Sequence, residues 1–130
     1  VEARWEGGLR FVAVGWAGIP VLVDGDGEAG ITPVETLAVS LAACMAADVV
    51  DILTKMRVHL DDLSVRVEGD RRAEPPRRYT ALRLAFEARG VPPAEEPKLQ
   101  RAVDLSREKY CSVIHTLRPD LDVSVGITSA

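Results

Sequence analysis

Two cysteines, Cys44 and Cys111, and two histidines, His59 and His115, carry most of the reactive chemistry available to this 130-residue chain. Two thiols are too few for a disulfide scaffold, and the two cysteines and two histidines as placed along the chain do not fit a full four-ligand zinc site. Three readings of the thiols stand open at this point. Cys44 lies in an Ala-rich apolar run and reads as a small buried core residue, since free cysteine is among the most buried types. Cys44 and Cys111 also read as a dithiol/disulfide couple. A thiol in the middle of a helix gains nothing from the helix N-terminus, so its thiolate would need a nearby cation, and arginine supplies one permanently. The third reading takes Cys111-x-x-x-His115 with Cys44 as a three-ligand metal site with an open position. His59 follows a basic stretch and reads as solvated.

The elements that must position these residues emerge from patterning. Ala3–Glu6, Leu9–Trp16 and Ile19–Val23 are β-rich runs separated by Gly7-Gly8 and Ala17-Gly18, a strand meander. Asp24 to Gly30 forms a polar glycine-rich loop that lacks the final glutamate of a calcium-binding loop. Thr32-Pro33-Val34-Glu35 is a helix start, with Thr32 as cap, Pro33 in the first turn and Glu35 as the capping-box partner. The helix runs to Arg57, about 25 residues or ~38 Å. Its first half is apolar on every face and is expected to be buried all round. Leu63–Glu68 and Leu82–Glu87 alternate as half-buried strands around an arginine-rich loop, Gly69–Arg78. Pro92 to Pro97 leads into a helix holding Leu99, Ala102, Val103, Ser106 and Tyr110. A short helical turn at Ser112–Leu117 precedes a last strand at Leu121–Ile127.

The order β-β-β-α-β-β-α-β clusters its strands, which predicts an α+β fold with a mainly antiparallel sheet, as one domain over residues 1–130. A long helix apolar on all faces needs more cover than one small sheet supplies, so a second copy of the chain is expected and an obligate homodimer is predicted. Apolar residues are 47% of the chain, which excludes wholesale disorder, and its 16 basic against 20 acidic residues leave a net charge of −4. That balance argues against nucleic acid or an anionic membrane as a partner. The charge-free run Thr36–Ala47 is shorter than the ~20 residues that span a bilayer. The cytoplasm is the expected compartment, where paired cysteines are more often reactive than structural.

The segments Thr32-Pro-Val-Glu-Thr-Leu-Ala-Val-Ser-Leu-Ala-Ala-Cys44-Met-Ala-Ala-Asp-Val-Val-Asp-Ile-Leu53 and Leu105-Ser-Arg-Glu-Lys-Tyr-Cys111-Ser-Val resemble the two signature segments of the OsmC/Ohr family. Trp5-x-Gly-Gly-x-Arg10-Phe11 and the element order extend the resemblance along the chain. It implies an intertwined homodimer with cysteine-bearing helices at its centre, wrapped by sheets, and active sites at the subunit interface. It also implies a thiol peroxidase that reduces organic hydroperoxides with no bound cofactor or metal. Cys44 would become a sulfenic acid, Cys111 would close a disulfide with it, and a small or lipoyl dithiol would restore the pair. Arg10 is the arginine the resemblance assigns to lowering the Cys44 pKa and orienting the peroxide, with Arg4 behind it.

The glutamate that holds that arginine stands ten residues before the cysteine in the organic-peroxide branch; here that position is Val34, and the glutamate is Glu35. On one helix, Glu35 points about 180° away from Cys44 and lies ~13.5 Å along the axis. Its catalytic role and its capping role are therefore alternatives. Asp48 falls one turn after Cys44 on the same face, where a carboxylate would raise a thiol pKa unless paired, so a structural role is expected for it. A different class of function, a non-catalytic dimeric binding or redox-sensing protein using the same pocket, is the alternative to the peroxidase.

Overall fold

A computed structural model describes residues 1–130, with strands β1 (Glu2–Trp5), β2 (Arg10–Val14), β3 (Pro20–Asp24), β4 (Asp62–Arg71), β5 (Tyr79–Arg89) and β6 (Asp122–Ser129). The helices are α1 (Pro33–Lys55), α2 (Glu96–Leu105) and α3 (Ser112–Thr116). A 3₁₀ turn, Pro93–Glu95, opens α2, and a π turn, Ser106–Tyr110, closes it. Backbone contacts divide the chain into two compact units, Val1–Val39 and Ser40–Ala130.

The first unit is the antiparallel sheet β1-β2-β3 with the start of α1. Gly7 and Gly8 both take positive φ, 103° and 55°, a conformation open to glycine at little steric cost. The turn they make is closed by the Arg10 N–H donating to the Gly7 carbonyl at 3.0 Å and by the Trp5 indole N–H donating to the Gly8 carbonyl at 3.0 Å. Arg10 thereby opens β2, opposite Asp24 in the register. Asp24 is buried, and its carboxylate accepts the Asp26 N–H at 3.1 Å and the Ala29 N–H at 2.9 Å, folding the glycine-rich loop around itself. The capping box expected at the helix start forms: the Glu35 carboxylate accepts the Thr32 N–H and hydroxyl, both at 2.9 Å, and Thr32 Oγ1 accepts the Glu35 N–H at 3.2 Å.

The second unit holds the sheet β4-β5-β6. β4 and β5 form an antiparallel hairpin, and β5 and β6 run parallel, the chain returning through α2 and α3. The hairpin continues past the predicted strand ends into the arginine-rich stretch, as far as the Arg71↔Tyr79 pair. Backbone pairing overrides a polar composition there. Gly69 is required in this stretch because a Cβ would lie 2.4 Å from the Tyr79 ring. The buried side chains of this unit include Leu41, Met45, Val49 and Leu53 on α1, Leu82, Leu84 and Phe86 on β5, and Leu99, Ala102 and Val103 on α2.

The 23 residues of α1 bury one stripe, at Ala38, Leu41, Ala42, Met45, Val49 and Leu53, which keeps the i, i+3, i+4 spacing. Its first half is therefore not covered all round in the single chain: Leu37 and Val39 are exposed, as is Val50 further on. By length and composition α1 is also apolar enough to cross a membrane, a test that core helices of soluble proteins pass as well.

Candidate active site

Cys44, at the middle of α1, is half-buried, and Asp48 comes one turn later. Residues four apart on a helix share a face, so Sγ and carboxylate project to the same side. Cys111 comes to that side by a different route. α2 does not run smoothly into α3; at its end the Cys111 N–H donates to the carbonyl of Ser106, five residues back, at 2.8 Å. This widened turn inserts one residue and rotates the next stretch of chain by about 100° relative to a continuous α-helix. Cys111 then leaves the helix in an extended conformation and caps α3, its Sγ accepting the Ile114 N–H at 3.4 Å.

The result is a cluster in which one Cys44 sulfur, one Asp48 oxygen and one Cys111 sulfur all lie within 4.8 Å of one another. Ser106 ties it together. Fully buried, it donates its hydroxyl to Asp48 Oδ2 at 2.8 Å, while its carbonyl holds the Cys111 backbone. Asp48 therefore pairs with a serine hydroxyl. Neither cysteine is in a disulfide. Burial, chiefly, pushes the Cys111 thiol above its ordinary pKa; the Ile114 N–H opposes this, and hydrogen bonding to Cys44 adds to it.

The other residues singled out from sequence have distinct settings. His115 is exposed on α3 and is not a member of the cluster, so the third ligand-type group beside the two sulfurs is Asp48. His59 is exposed and pairs with Asp61 at 2.7 Å. Arg10 is exposed at the head of β2, and its charge contributes to holding the Asp24 carboxyl below its ordinary range, after the hydrogen bonds from Ala29 and Asp26. The Glu35 carboxylate is engaged with Thr32 at the helix start, which also lowers its pKa. Ser106 is the site residue that sequence patterning does not reveal. It lies within the recognised segment around Cys111, but its type fits any helix, and its partner is 58 positions away.

The sequence profile of the OsmC-like protein family matches residues 25–126. This chain belongs to the OsmC-like family. Protein YhfA of Escherichia coli (strain K12) is 36% identical over 124 residues, covering 95% of this chain and 92% of that protein. Among solved structures, a hypothetical protein from Aquifex aeolicus VF5 superposes with a TM-score of 0.88 at 30% identity, over 99% of this chain and 93% of the other. The organic hydroperoxide resistance protein OhrB of Bacillus subtilis shares the OsmC-like fold with a TM-score of 0.65 at 18% identity, over 98% and 95% of the two chains. The α+β architecture expected from the element order is thus that of OsmC-like proteins.

Proposed function

We propose that the protein is a thiol-dependent peroxidase that reduces organic hydroperoxides to alcohols. The observation that carries this reading is the approach of the Cys44 and Cys111 sulfurs to within 4.8 Å. The Cys44 thiolate attacks the terminal peroxide oxygen and the O–O bond breaks. The alkoxide leaves and takes a proton to become the alcohol, and Cys44 becomes a sulfenic acid. The Cys111 sulfur then attacks the Cys44 sulfur. The sulfenic hydroxyl leaves with the Cys111 proton as water, and a disulfide forms. An S–S bond of about 2.05 Å asks the sulfurs to close by at most about 3 Å. An external dithiol, small or lipoyl, reduces the pair by exchange, which requires a reducing compartment such as the cytoplasm.

A groove of about 440 Å³ runs from Asp48 past Ile52, Met56, Leu105 and Tyr110, and the ion-paired Asp51 and Lys55 line it as well. Burying an alkyl tail there favours organic hydroperoxides over hydrogen peroxide, at ~25 cal/mol per Å² of apolar surface. Arg10 is assigned to orienting the peroxide on the strength of the family resemblance. Glu35 acts by fixing the start of α1 through Thr32. The working form is a homodimer: Val39 and Val50 on α1, Trp16 and Ile19 in the β2–β3 turn and Val21 on β3 are exposed in the single chain, more apolar surface than isolated side chains account for. Oxidation of a lipoyl dithiol by an alkyl hydroperoxide, monitored with the native protein and with Cys44→Ser, tests the reading. Turnover that disappears in the variant supports it, and equal, negligible rates in both overturn it.

A further inference from the structure

We propose that the reduced Cys44–Asp48–Cys111 cluster is a binding site for a thiophilic divalent cation of the zinc group. Two sulfurs and a carboxylate oxygen come from different turns of the chain, yet their ligand atoms lie within 4.8 Å of one another. Around a tetrahedral zinc with Zn–S bonds of ~2.3 Å, two sulfurs stand about 3.8 Å apart, so the donors need only a small inward movement. The donor set is selective: thiolates favour zinc and cadmium over magnesium and calcium, which take oxygen ligands.

The surroundings are those of a supported site. Asp48 Oδ2 is held by the Ser106 hydroxyl at 2.8 Å, which orients the carboxylate. The Cys111 sulfur receives the Ile114 N–H at 3.4 Å, a hydrogen bond that a metal-bound thiolate can keep. Binding replaces two S–H bonds by two metal–sulfur bonds and releases two protons to solvent, with no change in the oxidation state of metal or sulfur. Three protein ligands leave the fourth position for water or an incoming thiol, the pattern of an open site. The disulfide form has no thiolates to offer, so metal and disulfide exclude each other. Metal binding here requires no peroxidase activity.

Titration of the reduced protein with Cd²⁺ alone, read by thiolate-to-metal charge-transfer absorbance, tests it, with Zn²⁺ as competitor. The expected result is saturation at one Cd²⁺ per chain, displacement by Zn²⁺, loss of the signal in Cys44→Ser and in Cys111→Ser, and at least about tenfold weaker binding in Asp48→Asn. Saturation at another ratio, or undiminished affinity in either serine variant or in Asp48→Asn, overturns the three-ligand site. Thermal melting of the native chain provides a check that needs no variant. Zn²⁺ should raise the Tm of the reduced protein and leave that of the disulfide form unchanged; equal shifts in both forms contradict the site.

Discussion

The Ser106 hydroxyl donates to Asp48 Oδ2 at 2.8 Å across 58 positions of sequence, and the carbonyl of the same serine accepts the Cys111 N–H at 2.8 Å. One buried residue thus sets the carboxylate that shares a helix face with Cys44 and the backbone that carries Cys111. Removing the hydroxyl leaves the carbonyl link intact and frees the carboxylate. Ser106→Ala is expected to cost about 1.5–3 kcal/mol of stability, the range for a hydrogen bond to a charged group. It should slow disulfide closure several-fold while leaving the attack of Cys44 on peroxide nearly unchanged. Rapid mixing with a hydroperoxide, reading the sulfenic acid and disulfide phases separately, checks this. Equal slowing of both phases contradicts the positioning role.

Without the resolving thiol, the oxidised Cys44 has no partner in its own chain. Cys111→Ser is expected to consume one hydroperoxide and stop as a Cys44 sulfenic acid, trapped as an adduct by a dimedone-type probe. Native protein, which passes on to the disulfide, should trap far less. Equal labelling in the two proteins shows that Cys111 does not resolve the intermediate.

Much of this pair is legible in the sequence, for physical reasons that differ from residue to residue. Cys44 and Asp48 share a face because four helical residues make about one turn, and the helix itself is announced by Thr32, Pro33 and Glu35. The position of Cys111 at a helix boundary is also readable. The π turn is not, because it depends on which carbonyl accepts one N–H, and Ser106-Arg-Glu-Lys-Tyr110 satisfies an ordinary helix equally well. The role of Ser106 is hidden because its partner is distant in sequence. The extended β4–β5 hairpin is hidden by arginines that suit a loop and tolerate a strand. The exposed face of α1 departs from the all-round burial expected of it because apolar composition reports what needs cover, not whether one chain supplies it.

Asp24 makes the first unit sensitive to acid. Hydrogen bonds from the Ala29 and Asp26 N–H groups hold its carboxyl below the ordinary range. A carboxyl depressed in the folded state contributes stability above its unfolded pKa, near 3.9, and that contribution is lost as the pH falls through the lower folded value. Melting curves of native protein should fall in Tm from about pH 5 downward, and Asp24→Asn should start lower and lose less over the same range. Parallel acid curves for the two proteins exclude Asp24 as a source of the sensitivity.

The exposed apolar face of α1 gives the dimer a direct test. Val39 is 51% exposed in the single chain, so a charge there costs an isolated chain little. Buried against a second copy, it would cost several kcal/mol. Sedimentation should find the native protein as a dimer and Val39→Asp shifted to monomer with an unchanged far-ultraviolet spectrum. A native monomer, or a variant dimer as tight as the native one, removes the homodimer from the account.

In the proposed reaction Cys44 reduces the peroxide and Cys111 closes a disulfide with it in the same chain. One equivalent of an alkyl hydroperoxide should be added to fully reduced protein, the alcohol quantified, and the product mapped by peptide mass spectrometry. The expected result is one alcohol per chain and loss of two hydrogens in a cross-linked pair of peptides containing Cys44 and Cys111, with neither in Cys44→Ser. Thiols left unreacted, or peroxide consumed equally by Cys44→Ser, would contradict it.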